Sequence, residues 1–139
     1  MKKPLLLFAI KCSVIFYFAA CTGINEYTKA VSATPHVTKG TWKINLFVAS
    51  QNDETVVFDG YVLTFNPSGK LIASKNGKQI TGNWSEDDIL NRITIELDTK
   101  DPALKKLNDY WSFSDISSSG LNFQKTENPS GSWLQLSSL

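Results

Sequence analysis

The sequence predicts an all-β domain: eight short antiparallel strands that close in sequence order into an up-and-down barrel, with one short helix. Three observations carry this expectation. From Gly40 onward apolar side chains recur with a period of two, the spacing of a strand with one buried face. Compact turn signals (Asn66-Pro67-Ser68-Gly69, Asn76-Gly77 and Asn128-Pro129-Ser130-Gly131) divide these stretches. The connections are short, as in an antiparallel meander, and closing eight strands removes the exposed edges. An open or flattened barrel is the structural alternative.

The first strand is expected from Gly40. Trp42, Ile44, Leu46 and Val48 share its inner face, Lys43 and Asn45 the outer, and Phe47 breaks the polar side. Gln51-Asn52-Asp53-Glu54 reads as a turn, and Thr55–Asn66 as the second strand region, with Val57, Tyr61, Leu63 and Phe65 on one face and a bend at Gly60. Leu71–Ser74 is a third strand and Gln79–Ser85 a fourth, with Ile80 and Trp84 together and Gly82 between them. Glu86-Asp87-Asp88 reads as a solvated acidic turn. Leu90–Asp98 is the cleanest alternation, with Ile93, Ile95 and Leu97 inside. Over 101–107, Asp101 is the expected N-cap and Pro102 the first helical residue, with Leu104 and Leu107 on the buried side. Tyr110–Ile116 with Trp111 and Phe113, then Leu121 with Phe123, then Trp133–Ser137 with Leu134 and Leu136 complete the eight. On this parity Phe47, Phe58 and Trp133 face outward.

The chain of 139 residues suits one domain. Its 42% hydrophobic and 19% charged residues argue against disorder. Residues 1–20 have a basic start, an apolar middle and small residues at the end, as a signal peptide has. Lys11 divides the apolar run into pieces too short to span a bilayer. A tilted, uncleaved anchor with Lys11 snorkelling is the alternative. Lys2, Lys3 and Lys11 leave with this segment, so 14 basic residues become 11 against 13 acidic, a net charge of −2. That balance offers no footing for nucleic acid. Residues 21–38 read as a flexible tether, whose deletion from 22 to 38 is expected to leave the melting temperature unchanged, and 39–139 as the barrel domain. His36, the single histidine, lies in this tether with no partner for catalysis or metal binding.

Phe18-Ala19-Ala20-Cys21 resembles the lipobox of bacterial lipoproteins. That resemblance implies cleavage before Cys21, acylation of Cys21 (palmitate among the chains) and an extracytoplasmic, lipid-anchored protein. Thr22 is not an acidic retention signal, which by the same analogy favours the outer membrane. Gly40-Thr41-Trp42 resembles the G-x-W opening of lipocalins and other calycin-type barrels. Gly60-Tyr61, Thr64-Phe65-Asn66 with Gly69, Gly82-Asn83-Trp84-Ser85, and Leu107-Asn108-Asp109 with Trp111 extend the pattern over residues 40–137. It is similar to the lipocalin-like domains of small secreted lipoproteins of Gram-negative bacteria, most of which have no assigned activity.

No G-x-S-x-G elbow, phosphate loop, H-E-x-x-H or nucleophile–histidine pairing is present, so no enzyme, cofactor or metal site is expected. Trp42, Tyr61, Phe65, Trp84, Trp111 and Phe113 fall on inner faces, where they fill a core or lie beside a ligand. Filling is the expected outcome, because each ring brings roughly 150–250 Å² of buried surface. The expectation is a monomeric, non-enzymatic binding or interaction module of the cell envelope, partnered by the membrane through Cys21 and by an envelope protein. The alternative is a carrier of a small apolar ligand or lipid in the barrel.

Overall fold

A computed structural model describes residues 32–125 and 131–139. Among these residues, nine strands form one antiparallel sheet: β1 (Thr41–Ala49), β2 (Asn52–Asp53), β3 (Val62–Phe65), β4 (Lys70–Lys75), β5 (Lys78–Asp87), β6 (Arg92–Leu97), β7 (Asp109–Ile116), β8 (Gly120–Gln124) and β9 (Trp133–Ser138). Each pairs with its neighbour in the order β2-β1-β3-β4-β5-β6-β7-β8-β9, and β1 also pairs with β9. That last ladder, from Trp42↔Ser138 to Val48↔Trp133, closes an eight-stranded barrel. The two-residue β2 stands outside it, folded back on Val48 and Ala49 through Ser50 and Gln51, both at positive φ.

The upper mouth is formed by the β1–β3 connection, the Asn76-Gly77 hairpin and the segment between β6 and β7. That segment carries α2 (Pro102–Lys105). Asp101 caps α2, its Oδ1 accepting from Ala103 N at 2.8 Å and Leu104 N at 3.3 Å. Leu104 and Leu107 are both fully buried. The lower mouth is formed by the turns after β3, β5 and β7 and by α1 (Thr34–Val37).

Three departures from the sequence pattern have local causes. First, β1 contains a bulge: Ile44 pairs with Leu136 and Leu46 with Gln135, so Asn45 between them has no place in the ladder and its side chain donates to Gln135 Oε1. One inserted residue reverses the pleat for everything beyond it. Phe47 therefore points inward and is 1% exposed, while Leu46 and Val48, expected inside, are only half-buried. Second, Thr55–Phe58 is a 3₁₀ turn rather than the start of a strand. It covers the edge of β1 between its pairings with β3 and β2: Glu54 N donates to Phe47 O at 2.8 Å, and Phe47 N donates to Thr55 Oγ1 at 2.9 Å. The turn drives Phe58 into the core and leaves Val57 exposed. Trp133, also expected outside, is there, at 43% exposed.

Third, the expected tether is corrected over its described end, and so is the solvated acidic turn. Glu86 and Asp87 belong to β5. The Glu86 carboxylate accepts hydrogen bonds from Ser32 Oγ at 3.0 Å, Thr34 N at 2.9 Å, Ala33 N and Thr34 Oγ1. From that clamp the chain crosses the lower mouth to β1, where Val37 O accepts from Trp42 Nε1 at 2.7 Å. Ala33 and Val37 are fully buried in the core. Residues 32–38 are thus part of the folded unit, and a deletion reaching into them is expected to destabilise it. His36, within α1, is half-buried.

Burial alone would raise the Glu86 pKa, but hydrogen bonds from Thr34, Ala33 and Ser32 outweigh it and hold the carboxyl below its usual 4.5. A depressed folded-state value stabilises the protein above the unfolded value, and that contribution disappears as pH falls through the folded value. Glu86→Gln is expected to cost about 1.5–3 kcal/mol at neutral pH, the range for hydrogen bonds to a charged group. In thermal melts, the gap between wild type and variant should stay constant above the ordinary glutamate range and narrow below it. A pH-independent gap would contradict the clamp.

Candidate functional site

The barrel axis is occupied by rings. Phe47 packs on Phe58 at 4.8 Å between centroids and on Trp111 at 6.0 Å, edge to face. Phe65 meets Trp84 edge-on at 5.5 Å, and Phe113 meets Phe123 at 5.3 Å. Of the six residues expected on inner faces, Trp42, Phe65, Trp84 and Trp111 are buried in this core. Phe113 is half-buried against it, and Tyr61 is half-buried at the upper mouth. The lipidation candidate, Cys21, and most of the Asn128–Gly131 turn lie outside the described residues.

The three inward indoles share a further property. Trp42 Nε1 donates to Val37 O, Trp84 Nε1 to Asn66 O at 2.9 Å, and Trp111 Nε1 to Leu107 O at 2.9 Å. Each acceptor lies on a segment that closes a mouth: α1, the β3–β4 turn, and the end of the α2 segment. A buried indole N–H needs an acceptor. Here that need fastens the closures to the barrel wall. The G-x-W opening thus acts as the pin for the lower plug.

A cleft of about 320 Å³ remains at the upper mouth, lined by Tyr61, Ala73, Lys75, Lys78, Ile80 and Asp101, with Asn76 at its rim. The β4–β5 hairpin builds it by rising past the end of β6: Ala73 pairs with Ile80 and Lys75 with Lys78, beyond the last β5–β6 pair, Gly82↔Leu97. Tyr61 OH donates to Asp101 Oδ2 at 2.5 Å, and Lys75 Nζ stands 4.7 Å above the Tyr61 ring. The hydrogen bond to Asp101, with burial and the carboxylate's charge, pushes the Tyr61 phenol up to about 12. The same bond, with the two backbone donors of α2 and the Lys75 charge, outweighs burial and holds Asp101 below its usual range. Near neutral pH this pair keeps its protons fixed. It offers shape and two lysines, and so suits binding rather than proton transfer.

Sequence reasoning missed the lysines and the clamp. Lys75 and Lys78 flank a hairpin turn, where charged residues ordinarily signify only solvent. Glu86 ends a strand beside two other acids. Asp101 was legible as a cap, but its second oxygen's bond to Tyr61 spans 40 positions and has no local signal. Among the described residues, no group of three or more His, Cys, Asp or Glu side chains is placed to hold a metal ion, and no helix is long and apolar enough to cross a membrane.

A closed, eight-stranded, up-and-down barrel with a short helix at its mouth is a lipocalin-like fold. Comparison with solved structures agrees. The chain is similar to a DUF4847 family protein from Bacteroides vulgatus, with a TM-score of 0.58 and 15% identity over 76% of this chain and 96% of that one. It is also similar to a lipocalin-like protein from Bacteroides uniformis, with a TM-score of 0.52 and 19% identity over 73% and 98%. At these identities the likeness is one of fold. No family model and no curated protein matches the sequence.

Proposed function

We propose that this protein is a non-enzymatic interaction module of the cell envelope: a lipocalin-like barrel that is extracytoplasmic, monomeric and held at the outer membrane by lipid on Cys21. The observation that carries the interaction reading is the use of the three inward tryptophans. Each is buried, and its indole N–H is bonded to the backbone of a segment at a mouth, so none of the three is free to face a ligand in the barrel. Partners are then met on the outside of the barrel and its rims. The anchor rests on the lipobox resemblance and on the apolar segment before it. A single acyl chain binds membranes only marginally, whereas several hold firmly.

A second reading has one observation in its favour. The upper cleft exceeds the ~300 Å³ at which ligand sites begin. Its apolar floor, Ala73 and Ile80, lies beside Lys75 and Lys78. This would suit a small amphipathic acid at the mouth better than an apolar molecule along the axis.

Cys21→Ser is expected to abolish both membrane fractionation and metabolic labelling with fatty acid. Unchanged labelling would overturn the anchor.

A further inference from the structure

The tip of the β5–β6 hairpin is unlike the other turns of the lower mouth. Ile89 is 94% exposed and Leu90 52%, two adjacent aliphatic side chains at the end of the barrel. Isolated exposed apolar residues are ordinary, but these are presented in a particular way. Asp87 Oδ1 accepts from Ile89 N at 3.1 Å and Leu90 N at 3.0 Å. The backbone N–H groups of these two residues are thereby satisfied from within the turn. An apolar phase could receive these side chains without stripping water from the N–H of either residue, part of the usual cost of inserting a loop. Asp87 is itself 3.9 Å from Arg92 Nη2, which offsets its charge.

The position of the chain's entry selects what would meet the tip. Glu86, three residues before Ile89, clamps Ser32, Ala33 and Thr34. The polypeptide therefore enters the fold beside this hairpin. Cys21 is eleven residues before Ser32, a distance of at most about 40 Å at full extension. With a lipid on Cys21, the lower rim is the part of the barrel held nearest the bilayer.

We infer that Ile89 and Leu90 form a membrane-contact tip, seating the lower rim on a phospholipid bilayer and turning the upper cleft away from it. This rests on the anchoring reading above. The rim carries both signs of charge, with Lys39 and Lys70 exposed alongside Asp88 and Asp115. Insertion of the two aliphatic side chains, rather than attraction to an anionic surface, is the driving contact, and a zwitterionic bilayer suffices.

The test uses the mature lipidated protein in phosphatidylcholine vesicles. Cys12 leaves with the signal segment and Cys21 is blocked by lipid, so Ile89→Cys supplies one free thiol for an environment-sensitive fluorophore. Gln79→Cys, exposed near the Asn76-Gly77 turn at the opposite end, is the control. Flotation with the vesicles reads the anchor, and the fluorophore reads the tip. The expected result is flotation of both, with a blue shift and a severalfold loss of iodide quenching at position 89 and neither at 79. Flotation with position 89 as quenchable as 79 would overturn the tip contact and leave the anchor standing. Failure to float would remove both. A blue shift at 89 that needs no vesicles and grows with protein concentration would make the tip a contact between copies, and would also overturn the proposal.

Discussion

Replacing Trp111 with alanine is expected to cost about 3–5 kcal/mol, the range for emptying a buried aromatic site. The ring is fully buried on β7 and pairs across the sheet with Ile93. It carries the edge contact to Phe47, which in turn supports Phe58, so the cavity would open in the middle of the ring stack. The loss would also leave Leu107 O without its donor, removing one of the bonds that hold the α2 segment to the wall beside those of Asn108 to Leu97. Denaturant unfolding should show the midpoint falling with little change in slope. Trp111→Phe separates the two effects: it retains most of the apolar volume and removes the hydrogen bond, for about 1–3 kcal/mol. A loss below about 1 kcal/mol for the alanine variant would mean that the ring is not part of the packed core.

Gly82→Ala is the second large effect, expected near 3 kcal/mol, the upper part of the range for overpacking. A Cβ at position 82 would stand 2.1 Å from Glu96 O and 2.6 Å from Leu97 Cα. Both are backbone atoms of the neighbouring strand, so no side chain can swing aside. The β5–β6 ladder would have to part at the Gly82↔Leu97 pair, just below the cleft. The same denaturant measurement reads the outcome. Stability within a few tenths of a kcal/mol of wild type would show that the two strands are not so closely approached. By contrast, alanine at Gly77 meets nothing within 4 Å, but its φ of +75° strains any side chain in the hairpin turn.

Most of the barrel was legible because a strand writes its inner face into the sequence every second residue. Ile93, Ile95 and Leu97 on β6, and Leu134 and Leu136 on β9, alternate without interruption and are buried as the pattern requires. Asp101 before Pro102 was equally plain, since a cap and a first helical proline are local chemistry. The pattern failed where parity was broken by something outside it. Asn45 bulges because of how β1 meets β9, and only that ladder shows the shift. Phe47 and Phe58 were therefore turned the wrong way, one by the bulge and one by a 3₁₀ turn inside an apolar stretch that reads as a strand. Residues 32–38 looked like a linker because their composition is polar and without period. Their fixing comes from Glu86 and Trp42, partners 53 positions from Ala33 and five from Val37. The site suffered most, since Tyr61, Lys75 and Asp101 meet only when the hairpin and the α2 segment share one mouth.

The proposal that partners meet the outer surface and rims rests on a barrel interior filled by its own side chains. Native mass spectrometry of the protein isolated gently from the cells that make it tests this most directly. The account predicts the mass of the lipidated polypeptide alone, unchanged as the activation energy is lowered. A small apolar molecule retained at one per chain, and lost on replacing Trp42 or Trp84, would contradict it and make the barrel a carrier.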